Sequence, residues 1–515
     1  MRYAHTVEQV RAAEAALMAR LPEGTLMRRA AAGLAATCLD LLAGPEGRGP
    51  GRGGVRGRRV VLLAGSGDNG GDALFAGARL AARGVRVHAV LLAPERAHAA
   101  GLAALLAAGG AAAADRAAGE REIGRADLVL DGIVGIGGRG GLREPALPYL
   151  RAAERAGVRV VAVDLPSGVD ADTGEVPGEA VTATVTVTFG TYKPGLFVDP
   201  GAGRAGVVRL VDIGLEPPAP VAEVLQHADV AALLPRPTAE SDKYRRGVVG
   251  VAAGSERYPG AAVLAVSAAL RGGAGAVRYA GTAAREVVRA HPETLVSDGG
   301  PKAAGRVQAW VVGPGLADGE AAERTLAEAL AAGVPTLVDA DGLRLLARRP
   351  GGPAPDGRLL LTPHAGEAAA LLAGAGVTVT AAQVEAERLR YARLIAERYG
   401  CTVLLKGSTT VVAGPDPALP VRVNPTGTPW LATAGSGDVL SGLAGSLLAS
   451  GLAPLDAASA AAYLHGLAGR IAAGGDAGYG GYGPVTASDV AAALPAAWRN
   501  VTGGRQNVLS HRTVI

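Results

Sequence analysis

The sequence predicts an α/β protein of two domains, each a largely parallel sheet covered by helices. Three observations carry that prediction. Short apolar runs with strand character alternate with Ala- and Leu-rich helical stretches along most of the chain. Glycine-rich turns follow several of those runs, where a doubly wound sheet places its ligands. A Pro-rich segment, Leu215-Glu216-Pro217-Pro218-Ala219-Pro220, separates two series of the alternation.

In the first series, residues 60–64 read as a buried strand, followed by a glycine turn and a helix from about Asp72 through Leu80 to Arg83. Residues 85–92, 126–130 and 158–163 read as further strands, and 181–189, alternating Val and Thr, as a strand with half-exposed or edge character. After the Pro-rich segment, strands are expected at 248–253, 309–312, 336–339, 359–361 and 403–405. The expected domains are therefore 1–216 and 221–502, joined by a linker at 217–220 and followed by a tail at 503–515.

Composition bounds the function. With 515 residues and 49% hydrophobic content, the chain is long enough to bury two cores, and at 3% aromatics Ala, Val and Leu must fill them. The 77 glycines lie among apolar runs without a triplet period, which excludes a collagen-like chain and argues against disorder. Cys38 and Cys401 alone cannot form a disulfide framework, and they fit a reducing cytoplasm. Residues 1–10 contain Arg2, His5 and Glu8 and lack a signal core. Apolar runs elsewhere break before the roughly 18 residues that span a bilayer. A soluble protein without a membrane partner is expected.

Net charge is only +4, and the basic Gly/Arg segment 48–59 lacks aromatics, so it reads as an inserted loop rather than a nucleic-acid site. A homo-oligomer is the expectation, with no signal that sets the number of subunits. Among 51 basic residues only Lys193, Lys243, Lys302 and Lys406 are lysines. Where Arg serves almost everywhere, a lysine marks a place that needs a compact ammonium. Two of the four, Lys243 and Lys406, fall inside motifs.

The first candidate site gathers three strand ends. Gly65-Ser66-Gly67-Asp68-Asn69-Gly70-Gly71-Asp72 follows the first strand, Asp131-Gly132-Ile133-Val134-Gly135-Ile136-Gly137-Gly138-Arg139-Gly140-Gly141 follows another, and Asp164-Leu165-Pro166-Ser167-Gly168-Val169-Asp170 a third. Two acidic residues in the first turn would repel a bare pyrophosphate unless a cation or the helix dipole offsets them. Oxygen ligands from Asn69, Asp131 and Ser167 suit a hard cation, which leaves Asp164 as a base or acid facing a substrate.

The second candidate site centres on Thr433-Ala434-Gly435-Ser436-Gly437-Asp438, which opens an apolar helix. Unpaired N–H groups and the helix dipole suit phosphoryl oxygens there, and Asp438 stands as a general base for an acceptor hydroxyl. No P-loop motif occurs in the chain. Gly313-Pro314-Gly315, Asp339-Ala340-Asp341, Thr362-Pro363-His364-Ala365-Gly366-Glu367 and Lys406-Gly407-Ser408-Thr409-Thr410 end other strands of this half. His364 reads as a substrate contact, and Lys406 with its hydroxyl neighbours as contacts to a nucleotide; a Ser/Thr-rich hairpin is the structural alternative for that last run.

Residues 1–215, with the motifs above and the opening Thr6-Val7-Glu8-Gln9-Val10-Arg11, resemble the NAD(P)H-hydrate epimerase family, although Asp68 and Ala73 depart from its usual G-N-N-G-G-D-G. The resemblance implies a Rossmann-like fold. It implies substrate contacts at Asp68, Asn69, Gly70, Gly71, Asp72, at Gly135, Ile136, Gly137, Gly138, Arg139, Gly140, Gly141, and at Asp164, with potassium at Asn69, Asp131 and Ser167. Residues 225–500 resemble the ribokinase-like NAD(P)H-hydrate dehydratases through K-Y-x-R-G, T-P-H-x-G-E, K-G-x-x-T and G-S-G-D in that order. That resemblance implies substrate contacts at Gly315, His364 and Asp438. It also implies nucleotide contacts at Lys406, Gly407, Ser408, Thr409, Thr410 and Gly437, with magnesium and ADP as co-substrates. The implied function is repair of hydrated NAD(P)H: epimer exchange in the first half, and ADP-dependent dehydration releasing AMP and phosphate in the second. A vitamin or sugar-alcohol kinase with a nucleotide-binding scaffold in front is the alternative.

Overall fold

A computed structural model describes residues 1–44, 54–349, 357–474 and 482–503; part of the Gly/Arg loop (48–53) and the tail from 504 lie outside the described residues. The chain divides into two compact units, Tyr3–Val221 and Ala222–Ile515 with Met1–Arg2. The boundary falls just past the expected linker. The first two residues count with the second unit, where the Met1 ammonium pairs with Asp229 at 2.8 Å.

The first unit is built on a seven-stranded sheet in the order Ala111–Ala112, Arg86–Leu91, Arg59–Ala64, Leu128–Gly132, Val160–Val163, Val185–Phe189, Val207–Val211. All its pairings are parallel. Alternate side chains of Arg59–Ala64 feed two cores: Val60, Leu62 and Ala64 join Leu34, Leu74 and Leu80 on one face, while Val61 and Leu63 join Ile123 and Leu150 on the other. The chain extends from Arg59–Ala64 toward one edge, then returns to Leu128–Gly132 and extends toward the other. The carboxyl ends of those two strands flank the switch point, where open α/β sheets bind ligands.

Two expectations are corrected here. The helix after the first strand spans Asp68–Ala81, so it opens at Asp68 and not near Asp72. A Cβ on Gly70 would stand 2.2 Å from the Gly65 carbonyl oxygen, so these glycines let the first helical turn pack against the strand end rather than lengthen a loop. Strand Val185–Phe189 is buried at all five positions and lies inside the sheet, not at an edge. Its threonines find partners within the protein, Thr186 Oγ1 donating to Ala205 O at 2.6 Å, and so imitate the polar alternation of an exposed strand.

In the second unit the sheet order, from Ala222–Val224, runs Val421–Asn424, Thr410–Ala413, Thr402–Leu405, Leu359–Leu361, Thr336–Val338, Ala309–Val312, Val248–Ala252, Ala276–Ala280, Leu295–Ser297. Pairing is parallel from Thr402–Leu405 to the Leu295–Ser297 edge and antiparallel in the hairpin strands Thr402–Leu405, Thr410–Ala413 and Val421–Asn424. Helix Ser436–Ala449 is buried at every residue from Val439 onward, as an apolar helix covered on all sides must be. Its small residues permit that: a Cβ on Gly442 would fall 2.0 Å from Ala265 O, and one on Gly445 would fall 2.1 Å from Val311 Cγ2. No described helix is long and apolar enough to cross a membrane.

Candidate active sites

The first unit brings its three predicted strand-end turns together. Asp131, fully buried, accepts from Ser167 Oγ at 2.6 Å on Oδ1 and from Ser167 N at 2.8 Å on Oδ2. Ser167 Oγ also lies 3.0 Å from Val134 N and 3.0 Å from Val134 O. The Asn69 side chain closes the group, with Oδ1 only 2.9 Å from where a Gly135 Cβ would stand, and its buried Nδ2 has no hydrogen-bond partner. Burial raises the Asp131 carboxyl to about 6 against the opposing Ser167 hydrogen bonds, and among the described residues no cation pairs with it. A buried carboxylate, a serine hydroxyl, a peptide carbonyl and the Asn69 amide oxygen form an oxygen-rich set that fits a monovalent or hard cation. No described cluster of three or more His, Cys, Asp or Glu side chains forms a metal cage.

Asp164 sits where Val160–Val163 ends, with φ 67, a left-handed conformation uncommon for a residue with a side chain. Its backbone N–H donates to Val187 O at 2.7 Å. Its Oδ1 accepts three hydrogen bonds, from Lys193 Nζ at 2.5 Å, Thr188 Oγ1 at 3.1 Å and Phe189 N at 3.2 Å. Its Oδ2 accepts none from the described residues. One oxygen is anchored and the other is left for chemistry.

Glu14, Asp68 and Asp72 lie close to this carboxylate, and Glu14 and Asp72 are raised. Burial lifts Asp72 well above the ordinary carboxylate range, and Asp164, Asp68 and Glu14 add to it. Glu14 is raised by burial as well, with Lys193 opposing and Asp164 and Asp68 reinforcing. The pocket is thus acidic, and it is fitted to stabilise positive charge. The turn at 135–141 remains a loop, in which Gly138 N donates to Gly135 O and Gly140 has φ 78. A Cβ on Gly137 would face the Arg11 guanidinium at 3.3 Å.

In the second unit, Gly435 takes φ 85 at the N-cap of helix Ser436–Ala449, and Asp438 lies in its first turn. Burial and the neighbouring Asp339 raise Asp438 to about 7, with Lys406 opposing. The Lys406 ammonium pairs with Asp339 Oδ1 at 2.7 Å, stands 3.8 Å from Glu367 Oε2, and would lie 3.5 Å from a Gly437 Cβ. Burial alone would lower Lys406, but Asp339 and Glu367 hold it above the ordinary lysine range. Ser441 Oγ donates to Asp339 Oδ2 at 2.7 Å, so both oxygens of that buried aspartate are engaged. Lys406 is therefore held beside the Gly435-Ser436-Gly437-Asp438 turn by a partner 67 positions away.

His364 caps helix Ala365–Gly374, its Nδ1 accepting from Gly366 N at 3.0 Å while Glu367 Oε2 accepts from His364 N at 2.9 Å. The cap occupies Nδ1, while Nε2, on a side chain 60% exposed, lies 3.4 Å from Glu367 Oε1. Lys406, Gly407, Ser408 and Thr409 join antiparallel strands, with Thr410 opening the second, so the nucleotide candidates do lie on a Ser/Thr-rich hairpin. Gly315, with φ 63, lies just past the end of strand Ala309–Val312.

Sequence reasoning named Asp339 without giving it a role, and missed Lys193, Glu14 and the buried His465, whose pKa burial lowers to about 4 despite a hydrogen bond to the Ser436 backbone. The scarcity of lysine was the one signal available for Lys193. It was attached only to the two lysines inside motifs.

Two family models match the chain: one described as NAD(P)H-hydrate dehydratase over residues 249–490, and one described as the YjeF-related protein N-terminus over residues 23–195. A bifunctional NAD(P)H-hydrate repair enzyme of Mycobacterium tuberculosis is 49% identical over 463 residues, covering 89% of this chain and 92% of its own. One from Escherichia coli K12 is 35% identical over 437 residues, covering 81% of each chain. Among solved structures, an ADP/ATP-dependent NAD(P)H-hydrate dehydratase from Bacillus subtilis, co-crystallized with ATP and Mg2+, is 30% identical. It covers 54% of this chain and 97% of its own, with a TM-score of 0.47.

Proposed function

The chain belongs to the bifunctional NAD(P)H-hydrate repair enzymes, and from that premise we propose how its two sites divide the work. The first unit exchanges the R and S hydrates. The second uses ADP to dehydrate the S hydrate to NAD(P)H, releasing AMP and phosphate. The observation that supports this division is that each unit carries its own aspartate, Asp164 at the end of strand Val160–Val163 in one and Asp438 in the first turn of helix Ser436–Ala449 in the other. Purified protein given mixed hydrate epimers and ADP should return both epimers to NAD(P)H. Recovery of one epimer only would remove the exchange activity, and accumulation of a stable phosphorylated product would favour a kinase.

In the first site, the hydroxyl leaves the ring carbon beside nitrogen as water, with a proton from solvent. Water returns to the other face of the nitrogen-stabilised cation with release of a proton. Asp164 Oδ2 balances that charge and moves the proton, while Asp68, Asp72 and Glu14 add negative potential around it. The glycines at 70–71 and 135–141 let the dinucleotide approach the backbone. Asn69, Asp131 and Ser167 would hold potassium, which would supply positive charge beside this acidic turn for a pyrophosphate. Epimer exchange should fall at least several-fold in buffer free of potassium and sodium and return on adding potassium. Full activity without either cation would remove the assignment.

In the second site, Asp438 takes the proton of the substrate hydroxyl as its oxygen attacks the β-phosphorus of ADP. The phosphoanhydride bond breaks, AMP leaves, and the N–H groups at Gly437 receive the transferring phosphoryl. The C–O bond then breaks as phosphate departs, and the adjacent ring carbon gives up a proton, forming the C=C bond of the dihydronicotinamide. Gly315 and His364 contact the hydrate, the hairpin from Lys406 to Thr410 holds the nucleotide, and magnesium would accompany its phosphates. The Lys406–Asp339 pair fixes the ammonium beside Gly437.

A base must be ionised to act, and Asp438 is raised to about 7. Hence kcat/KM for dehydration should decline as pH falls through about 7 and level off above it. A profile flat from pH of about 5 upward would exclude Asp438 as the base. Cys38 and Cys401 are both free and buried, which supports placing the protein in the cytoplasm.

A further inference from the structure

We propose that Lys193 is a positioning residue of the epimerisation site: its ammonium anchors one oxygen of the Asp164 carboxylate and supplies its charge partner, leaving the other oxygen to the substrate. The proposal rests on the reading of Asp164 given above.

Lys193 is 1% exposed and cannot itself touch a bound dinucleotide. An ammonium has three donors, and here all three are used: on Asp164 Oδ1 at 2.5 Å, Thr188 Oγ1 at 3.0 Å and Phe189 O at 3.1 Å. That pyramidal arrangement suits a lysine and not the planar fork of arginine, which accounts for one of the four lysines in a chain otherwise supplied with arginine. Thr188 in turn donates to the same Asp164 oxygen, and Phe189 donates its N–H there. The end of strand Val185–Phe189 and Lys193 together form one clamp on Oδ1.

The surroundings make the ammonium's charge matter. Glu14 faces Asp164 from helix Val7–Met18, and Asp68 and Asp72 face it from helix Asp68–Ala81. Arg11 lies beside Glu14, and His5, bonded to Thr191 Oγ1 at 2.7 Å and to Pro218 O at 3.0 Å, lies near Lys193. Among the described residues, Lys193 is the one cation in direct contact with Asp164. Without it, a carboxylate among three others in a buried place would take up a proton and lose its use as a base.

The test uses the full chain, with epimer exchange measured without ADP and the dehydration rate of the same sample as its concentration control. Lys193→Gln keeps N–H donors and removes the charge. It should slow exchange about 10²-fold near neutral pH, with KM for the hydrate nearly unchanged. The deficit should shrink as pH rises toward about 9, because the carboxyl group regains its charge. In an Asp164→Asn background, Lys193→Gln should slow the residual rate no further.

Slowing by one factor at every pH, an effect confined to KM, further slowing in the Asp164→Asn background, or loss of the first unit's thermal transition in Lys193→Gln would each overturn the proposal. Any of these would make Lys193 a structural cation. Asp164→Asn at the wild-type rate would instead sink the reading of the site. Asp164→Asn slow with Lys193→Gln at the wild-type rate would sink this proposal alone.

Discussion

Asp438→Asn lowers ADP-dependent dehydration by about 10²–10⁴-fold, the range for losing a positioned general base, and leaves epimer exchange at its wild-type rate. The substitution is nearly isosteric, so the first turn of helix Ser436–Ala449 keeps its shape and its N–H groups. The Asp438 side chain makes no hydrogen bond among the described residues, so no structural bond is lost. Removing its charge also relieves the repulsion from Asp339 that raises it, and the fold should be no less stable. The loss should therefore appear in kcat with little change in KM for ADP. Normal turnover by this variant, measured as reduced-nicotinamide absorbance and released phosphate, would take Asp438 out of the mechanism.

Asp164→Ala stops epimer exchange and spares dehydration of the S hydrate. Its effect on stability differs from that of the first variant. Removing Asp164 leaves the buried Lys193 ammonium without its carboxylate, and breaking such a pair from one side costs about 3–5 kcal/mol. Alanine also tolerates φ 67 poorly. Asp164→Asn is the better control, since asparagine adopts the left-handed conformation readily and its amide oxygen still accepts from Lys193, Thr188 and Phe189. Both variants should be inactive in exchange, with the alanine variant melting lower. An asparagine variant that exchanges epimers at the normal rate would show that the proton moves elsewhere; equal loss of both activities would indicate a general folding defect.

The sequence by itself determined what is local. Apolar runs of strand length, the glycine turns behind them and the Pro-rich break at 215–220 are set within a few residues, and Ala309–Val312 and Leu359–Leu361 appear where they were expected. The motifs were equally legible, because a turn that brings backbone N–H groups to a phosphate needs small residues at neighbouring positions. Local reading failed where glycines and threonines serve packing. Gly70 and Gly71 belong to a helix rather than a loop, and Thr186 and Thr188 are buried on a strand paired on both sides.

Only the tertiary structure decided which charges meet. Asp164 finds Lys193 across 29 positions, Asp131 finds Ser167 across 36, and Asp339 finds Lys406 across 67. Strand order sets those distances, and no local pattern encodes it. The burial that makes these pairs consequential comes from side chains of other elements, which exclude water and strengthen every charge left inside.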